Sequence, residues 1–166
     1  MRRILGLGMV LALATLPTKG WADETGGFRF AGLGPRVGVS INPHQVVVGG
    51  HVDWGDPFPH TTLLLPVLEA GIGDGRFVGS AGADLTFRFL NRWEGWTPFA
   101  GGEIALVFGT QDAPGGGDEG FSDLGLIGIV GLQRELRGGN RFATEIKFGI
   151  VDAPDVKFLA SWTLSP

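Results

Sequence analysis

Apolar residues recur at every second position along most of this chain, and that period constrains the fold more than any other feature. Successive side chains of a strand point to opposite faces, so period two marks strands with two unlike faces. Val46, Val48, Gly50, Val52 and Trp54 share one parity, while Gln45, Gly49, His51 and Asp53 hold the other. The same holds for Phe77, Gly79, Ala81, Ala83, Leu85, Phe87 and Phe89, and for Ala100, Gly102, Ile104, Leu106 and Phe108. It returns in Leu124 to Leu132, in Phe142 to Ile150 and in Val156 to Leu164. Phe28 to Ile41 and Leu63 to Ile72 are less regular. Pro35 and Pro66 interrupt them, and proline in a ladder predicts a bulge or a strand boundary.

These segments predict about eight strands of roughly ten residues each, the length a membrane strand requires. Turn chemistry separates them at Asn42-Pro43, Gly55-Asp56-Pro57, Gly73-Asp74-Gly75, Gly138-Gly139-Asn140 and Asp152 to Asp155. Connections this short leave no room for crossover helices, so neighbours should pair antiparallel. The expected fold class is an all-β, eight-stranded antiparallel up-and-down meander, closed as a transmembrane β-barrel. One connection differs: Thr110 to Ser122 is acidic and glycine-rich and reads as a mobile external loop.

Composition narrows the chemistry. The chain has 166 residues, 30 of them glycine, and no cysteine, which excludes a disulfide framework, a zinc ribbon and thiol catalysis. Only 18% of residues are charged, against about 25% in an ordinary soluble domain. The formal net charge of −4 argues against nucleic acid as a partner, since phosphate binding needs clustered basic groups. Met1–Ala22 has the build of a secretory signal peptide: Arg2 and Arg3, an apolar run from Ile4 to Leu16, and small residues at Gly20 and Ala22. The expected domains are therefore 1–22 signal peptide and 23–166 barrel.

Alternation does not by itself say which face points inward. The apolar parity of the six regular strands carries no ionisable residue in mid-strand. The polar parity is mostly small residues with isolated charges of balanced sign: Arg36, Arg88, Lys147 and Lys157 against Glu69, Asp84, Glu103 and Glu145. Matched charges among small residues fit a confined lumen, where each charge needs a partner. We therefore expect a lumen charge network of Arg36, Glu69, Asp84, Arg88, Glu103, Glu145 and Lys147, filling a barrel too narrow for a wide channel. Glu103→Ala should then destabilise the barrel by leaving a cation unpaired. The aromatics fall near strand ends. Trp54, Trp93, Trp96, Phe142 and Trp162 belong to one end, and Phe77, Phe108, Phe121 and Phe158 to the other, the positions of aromatic girdles.

With these features the chain resembles the small eight-stranded outer-membrane barrels of Gram-negative bacteria, the family of the outer membrane protein A transmembrane domain and outer membrane proteins X and W. The resemblance spans residues 23–166 and rests on architecture. Two features depart from the family pattern: the chain ends in Pro166 where an aromatic is usual, and it has no tyrosine. The resemblance implies outer-membrane localisation, closure of the last strand on the first, outer-membrane lipid and the barrel-assembly machinery as partners, and a structural, anchoring or surface-interaction role. Alternatives are a soluble periplasmic lipocalin-like barrel that holds an apolar ligand, and a lipid-modifying outer-membrane enzyme.

Candidate sites outside the lumen charges are sparse. His44, His51 and His60 lie too far apart along their strands to converge on a metal, and His51 with Asp53 reads as part of a lumen hydrogen-bond network. Asp112, Asp118 and Glu119 lack the spacing of a calcium loop. Ser40 and His51 occupy neighbouring strands and could approach as nucleophile and base, but no elbow or triad signature surrounds them. The expectation is no metal, no cofactor and no catalytic residue, with the external partner left unnamed.

Overall fold

A computed structural model of the protein describes residues 27–58, 61–112 and 118–166. The expected signal peptide and His60 lie outside the described residues. The strands follow in chain order as β1 (Gly32–Ile41), β2 (Gln45–Asp53), β3 (Thr62–Gly73), β4 (Arg76–Arg88), β5 (Trp96–Asp112), β6 (Asp118–Glu135), β7 (Arg141–Val151) and β8 (Val156–Thr163). Each pairs antiparallel with the next, and β8 pairs with β1, so the sheet closes as an eight-stranded meander barrel. The alternation predicted this class. The termini of the described chain lie at one end, here called lower. The β1–β2, β3–β4 and β7–β8 turns lie at the upper end.

The register fixes the stagger. Following paired residues from Gly131 through Glu145, Leu159, Gly38, Val47, Gly71, Val78 and Gly109 returns to β6 at Phe121, ten residues from the start. A stagger of this size in eight strands tilts them by about 40° and leaves an interior that side chains can fill. Closure at the β1–β8 seam depends on glycine. A Cβ on Gly34 would run into the Trp162 carbonyl oxygen, and one on Gly38 into that of Phe158.

Neither expected proline bulge is present in the way the sequence suggests. Pro35 lies within β1, and the register with β2 runs unbroken from Gly32 to Ser40. The β8 ladder simply begins at Arg36, one residue past the proline, and Leu33 bridges Leu164 in the same register. Pro66 pairs in register with Ala83 of β4, while continuous pairing with β2 stops at Val67. Each proline thus sits where one of its two ladders pauses, which satisfies its missing donor without a kink. The register shift between Leu126 and Ile127 falls instead on β7, where Ile150 is the extra residue. The expected Thr110–Ser122 loop is largely strand. Thr110 pairs with Gly120, Gln111 with Glu119 and Asp112 with Asp118, so β5 and β6 run 17 and 18 residues.

The two faces are chemically opposite. Outward positions expose Val37, Val48, Leu68, Leu85, Ile104, Leu106, Leu126, Ile146, Phe148 and Phe158. Below the β5–β6 hairpin tip, the outward strand positions among the described residues hold one ionisable side chain, Arg134 at the lower end. Inward positions bury Arg36, Glu69, Asp84, Glu103, Glu145, Lys147 and Lys157. The interior is not only small and charged, as the sequence suggested. Leu63, Leu65 and Val67 of β3, and Phe99, Ile129 and Ala143, pack inward on the lower side, while Val78, Ala105 and Val107 pack on the upper side. Strands β3 and β6 carry large apolar residues on both faces, which period counting assigns to one.

Candidate functional site

The central feature of the interior is an ionic cluster built from six strands. Period two puts Glu145 and Lys147 of β7 on the inner face, and the stagger brings them level with Arg36 of β1, Glu69 of β3, Asp84 of β4 and Glu103 of β5. Lys147 Nζ donates to Glu69 Oε1 at 3.1 Å, to Asp84 Oδ1 at 3.1 Å and to Glu103 Oε2 at 2.8 Å. Glu145 Oε1 lies 3.9 Å away. Arg36 donates from Nη1 to Glu69 Oε1 at 3.1 Å and from Nη2 to Asp84 Oδ2 at 2.7 Å, with Glu145 Oε1 3.3 Å from Nη1. Lys157 Nζ donates to Glu69 Oε2 at 2.8 Å.

Removing such charges from water costs several kcal/mol per ion, so mutual attraction and complete hydrogen bonding must repay it. Glu69 achieves this with three cations. Lys147 spends all three of its N–H donors on carboxylates, which is the full capacity of an ammonium. Four carboxyl groups face three cations, and Glu103 Oε1 and Arg36 Nε have no hydrogen-bond partner among the described residues.

Six of the seven residues expected in the lumen network meet here: Arg36, Glu69, Asp84, Glu103, Glu145 and Lys147. Arg88 does not, which is a correction. It faces inward on β4 but lies four residues below Asp84, at the strand end, where Nη2 binds Asp56 Oδ1 and the Thr62 carbonyl. Lys157 takes its place in the cluster. It was legible as an inward charge, but not as a member, because β8 has barely begun at that residue. The reason given for Glu103→Ala also fails. Without Glu103, Lys147 still contacts Glu69 and Asp84, so no cation is left unpaired.

A second polar group closes the lower end. Arg141 Nη2 donates to Asp53 Oδ2 at 2.7 Å and lies 3.4 Å from Thr163 Oγ1, and Asp53 Oδ1 accepts from the Gly55 amide at 2.8 Å. His51 Nε2 lies 2.8 Å from Thr163 Oγ1, so its hydrogen-bond partner is Thr163 and not Asp53. A cavity of about 10 Å³ remains between this belt and the central cluster, about the room one water needs. Ser40 and His51 are not brought together. The register pairs Ser40 with Gln45 and Gly34 with His51, six positions or roughly 20 Å apart along the strands. Ser40 Oγ donates instead to the Pro43 carbonyl at 2.6 Å.

His44 contacts Asp74 at the upper turns, with its amide donating to Asp74 Oδ2 at 2.9 Å. No group of His, Asp and Glu among the described residues has metal-binding geometry.

The aromatics divide by facing. At the lower end Trp96, Phe142 and Trp162 form an outward row, with ring centroids 6.1 Å apart for Trp96–Phe142 and 4.5 Å for Phe142–Trp162. Trp93 bridges Trp96 across the β4–β5 turn and is exposed, and Trp54 lies just past β2 and is half-buried. Near the upper end Phe77 and Phe108 meet in a tilted pair with centroids 6.4 Å apart on the outer wall, and Phe158 faces outward on β8. Phe121 does not join them. It occupies an inward position and packs on Val78, Ala105 and Val107, over Gly109, where the absent side chain leaves it room. No protein-family model matches the chain, and no curated protein is similar to it.

Proposed function

We propose that the protein is an outer-membrane β-barrel whose filled, ionic interior serves as a rigid anchor for its upper-end turns and for the β5–β6 hairpin. One observation carries this reading: among the described residues the outer wall exposes Leu, Ile, Val and Phe with no ionisable group below the hairpin tip except Arg134 at the lower rim, while eight charged side chains are buried inside. A water-facing surface carries about 25–35% charged residues. A lipid-facing strand excludes them, because an Arg or Lys at the bilayer midplane costs about 2–4 kcal/mol. The outward aromatic rows near both ends fit the two interfaces of a bilayer.

This reading assigns outer-membrane lipid and the assembly machinery as partners, and anchoring or surface interaction as the role. The ion pairs and apolar layers that fill the interior argue for a plug and not for a wide pore. Fractionation of expressing cells tests the proposal. The protein should sediment with outer membranes, require detergent for extraction and shift in gel mobility on heating. Recovery from the periplasm without detergent would favour a dissolved carrier instead.

A further inference from the structure

Among the described residues the outer wall has one charged residue below the hairpin tip, Arg134. Arg134 occupies an outward position at the lower end of β6, paired in register with Trp96 of β5 and Phe142 of β7. Those two rings contact one another at 6.1 Å, so the guanidinium emerges from an aromatic row. It is exposed and makes no hydrogen bond or ion pair among the described residues. Its side chain lies over the β4–β5 turn, with Nε 3.7 Å from where a Cβ on Gly95 would stand. Of the other arginines at this end, Arg88 pairs with Asp56, Arg141 with Asp53, and Arg92 lies 3.9 Å from Glu135, while Arg29 and Arg137 lie off the strand wall, in the segment before β1 and in the β6–β7 turn.

Directly above Arg134 the wall carries a shallow, open depression. A groove of about 700 Å³ crosses β6, β7, β8 and β1, with Leu132 and Val130 on one side, Val37 and Val39 on the other, and Thr144 and Ala160 along its length. Thr144 pairs with both Leu132 and Ala160, so two small side chains sit side by side between flanking branched ones. Leu132 is the next outward residue of β6 after Arg134, about 7 Å along the strand. A cation at the aromatic rim and an apolar trough starting one pleat above it match the two parts of a phospholipid. Arginine also suits a phosphate, because its planar fork binds two oxygens at once. Among the described residues both lysines are buried in the lumen, and every basic side chain outside it is arginine or histidine.

We propose that Arg134 and this groove form a specific site for one anionic phospholipid, its phosphate on Arg134 and an acyl chain in the trough. The site rests on the membrane reading and sharpens it. The test reconstitutes the purified full chain in phosphatidylcholine vesicles with trace spin-labelled phosphatidylglycerol or spin-labelled phosphatidylcholine. Electron spin resonance then reads the motionally restricted fraction of each. Wild type should retain the anionic label about fivefold over the zwitterionic one. Arg134→Gln should remove that preference, and Ala160→Phe should weaken retention with Arg134 intact. Arg76→Gln at the opposite end should leave the preference unchanged. Preference that survives Arg134→Gln overturns the site, as does loss of preference on adding inorganic phosphate, which would assign the cation to free phosphate. Failure of the protein to enter vesicles, seen as absence of the heat-dependent gel shift, would overturn the membrane reading itself and the site with it.

Discussion

Lys147 is the residue on which the interior turns, and replacing it with methionine separates the electrostatic account from simple packing. Methionine keeps most of the volume and the unbranched stem. It removes the cation that Glu69, Asp84 and Glu103 each contact within 3.1 Å. Four carboxyl groups would then share Arg36 and Lys157. Removing one partner of a buried ion pair costs about 3–5 kcal/mol, since the remaining charge stays buried. That is a large share of the roughly 5–15 kcal/mol that holds a domain folded. With a urea dependence of about 1–3 kcal/mol per molar, the unfolding midpoint should fall by roughly 1–5 M. The assay is urea titration in lipid vesicles, followed by tryptophan fluorescence and by the fraction of protein that keeps its folded gel mobility. Glu103→Gln is the paired control. It leaves three carboxyl groups against three cations and replaces a carboxylate that already has one unpartnered oxygen, so its stability should stay within about 1 kcal/mol of wild type. A Lys147→Met barrel as stable as wild type, or a Glu103→Gln variant as damaged as Lys147→Met, would refute the reasoning.

Further outcomes are expected of the walls. Ile104→Arg places a cation on the mid-wall outer face of β5 and should cost about 2–4 kcal/mol in vesicles, whereas on a water-facing surface it would fall within about 0.5 kcal/mol; equilibrium unfolding in vesicles measures it. Gly34→Val drives a side chain into the Trp162 carbonyl at the seam, and should cost about 3 kcal/mol, read as loss of the heat-resistant folded band. Arg88→Gln breaks the pair with Asp56 and the long contact with the Thr62 carbonyl at the partly exposed lower rim and should cost about 1 kcal/mol or less, against the larger loss for Lys147→Met in the same titration.

Facing was legible because a closed barrel ties every residue's parity to one side of its wall. Val46, Leu85, Ile104 and Phe158 lie outward where period two puts them, and Glu69, Asp84, Glu103 and Lys147 lie inward. Height along the axis was not legible. Parity places Arg88 and Asp84 on the same face, but four residues of rise carry Arg88 to the rim. The stagger does the reverse for Lys157: the second residue of β8 comes level with the middle of β3 and meets Glu69. Nothing in one strand's sequence states the stagger, because it is a property of closure. Composition misled at the β5–β6 tip, where glycine and acidic residues read as loop although Thr110 and Gly120 still pair. Phe121 falls on the inward parity, but its place near a strand end suggested a girdle. The lower-side apolar layer escaped notice because Leu63, Leu65 and Ile129 face inward from strands that are apolar on both sides.

The central claim is that hydrocarbon, and not water, covers the outer wall. The chain has no cysteine, so a single spin label can be placed by Ile104→Cys on the outer face and compared with Ala105→Cys on the inner face one residue away. In vesicles the outward label should relax strongly with dissolved oxygen and weakly with a water-soluble nickel chelate, and the inward label weakly with both. An Ile104 label that the chelate relaxes as readily as a label on a soluble surface would contradict the account.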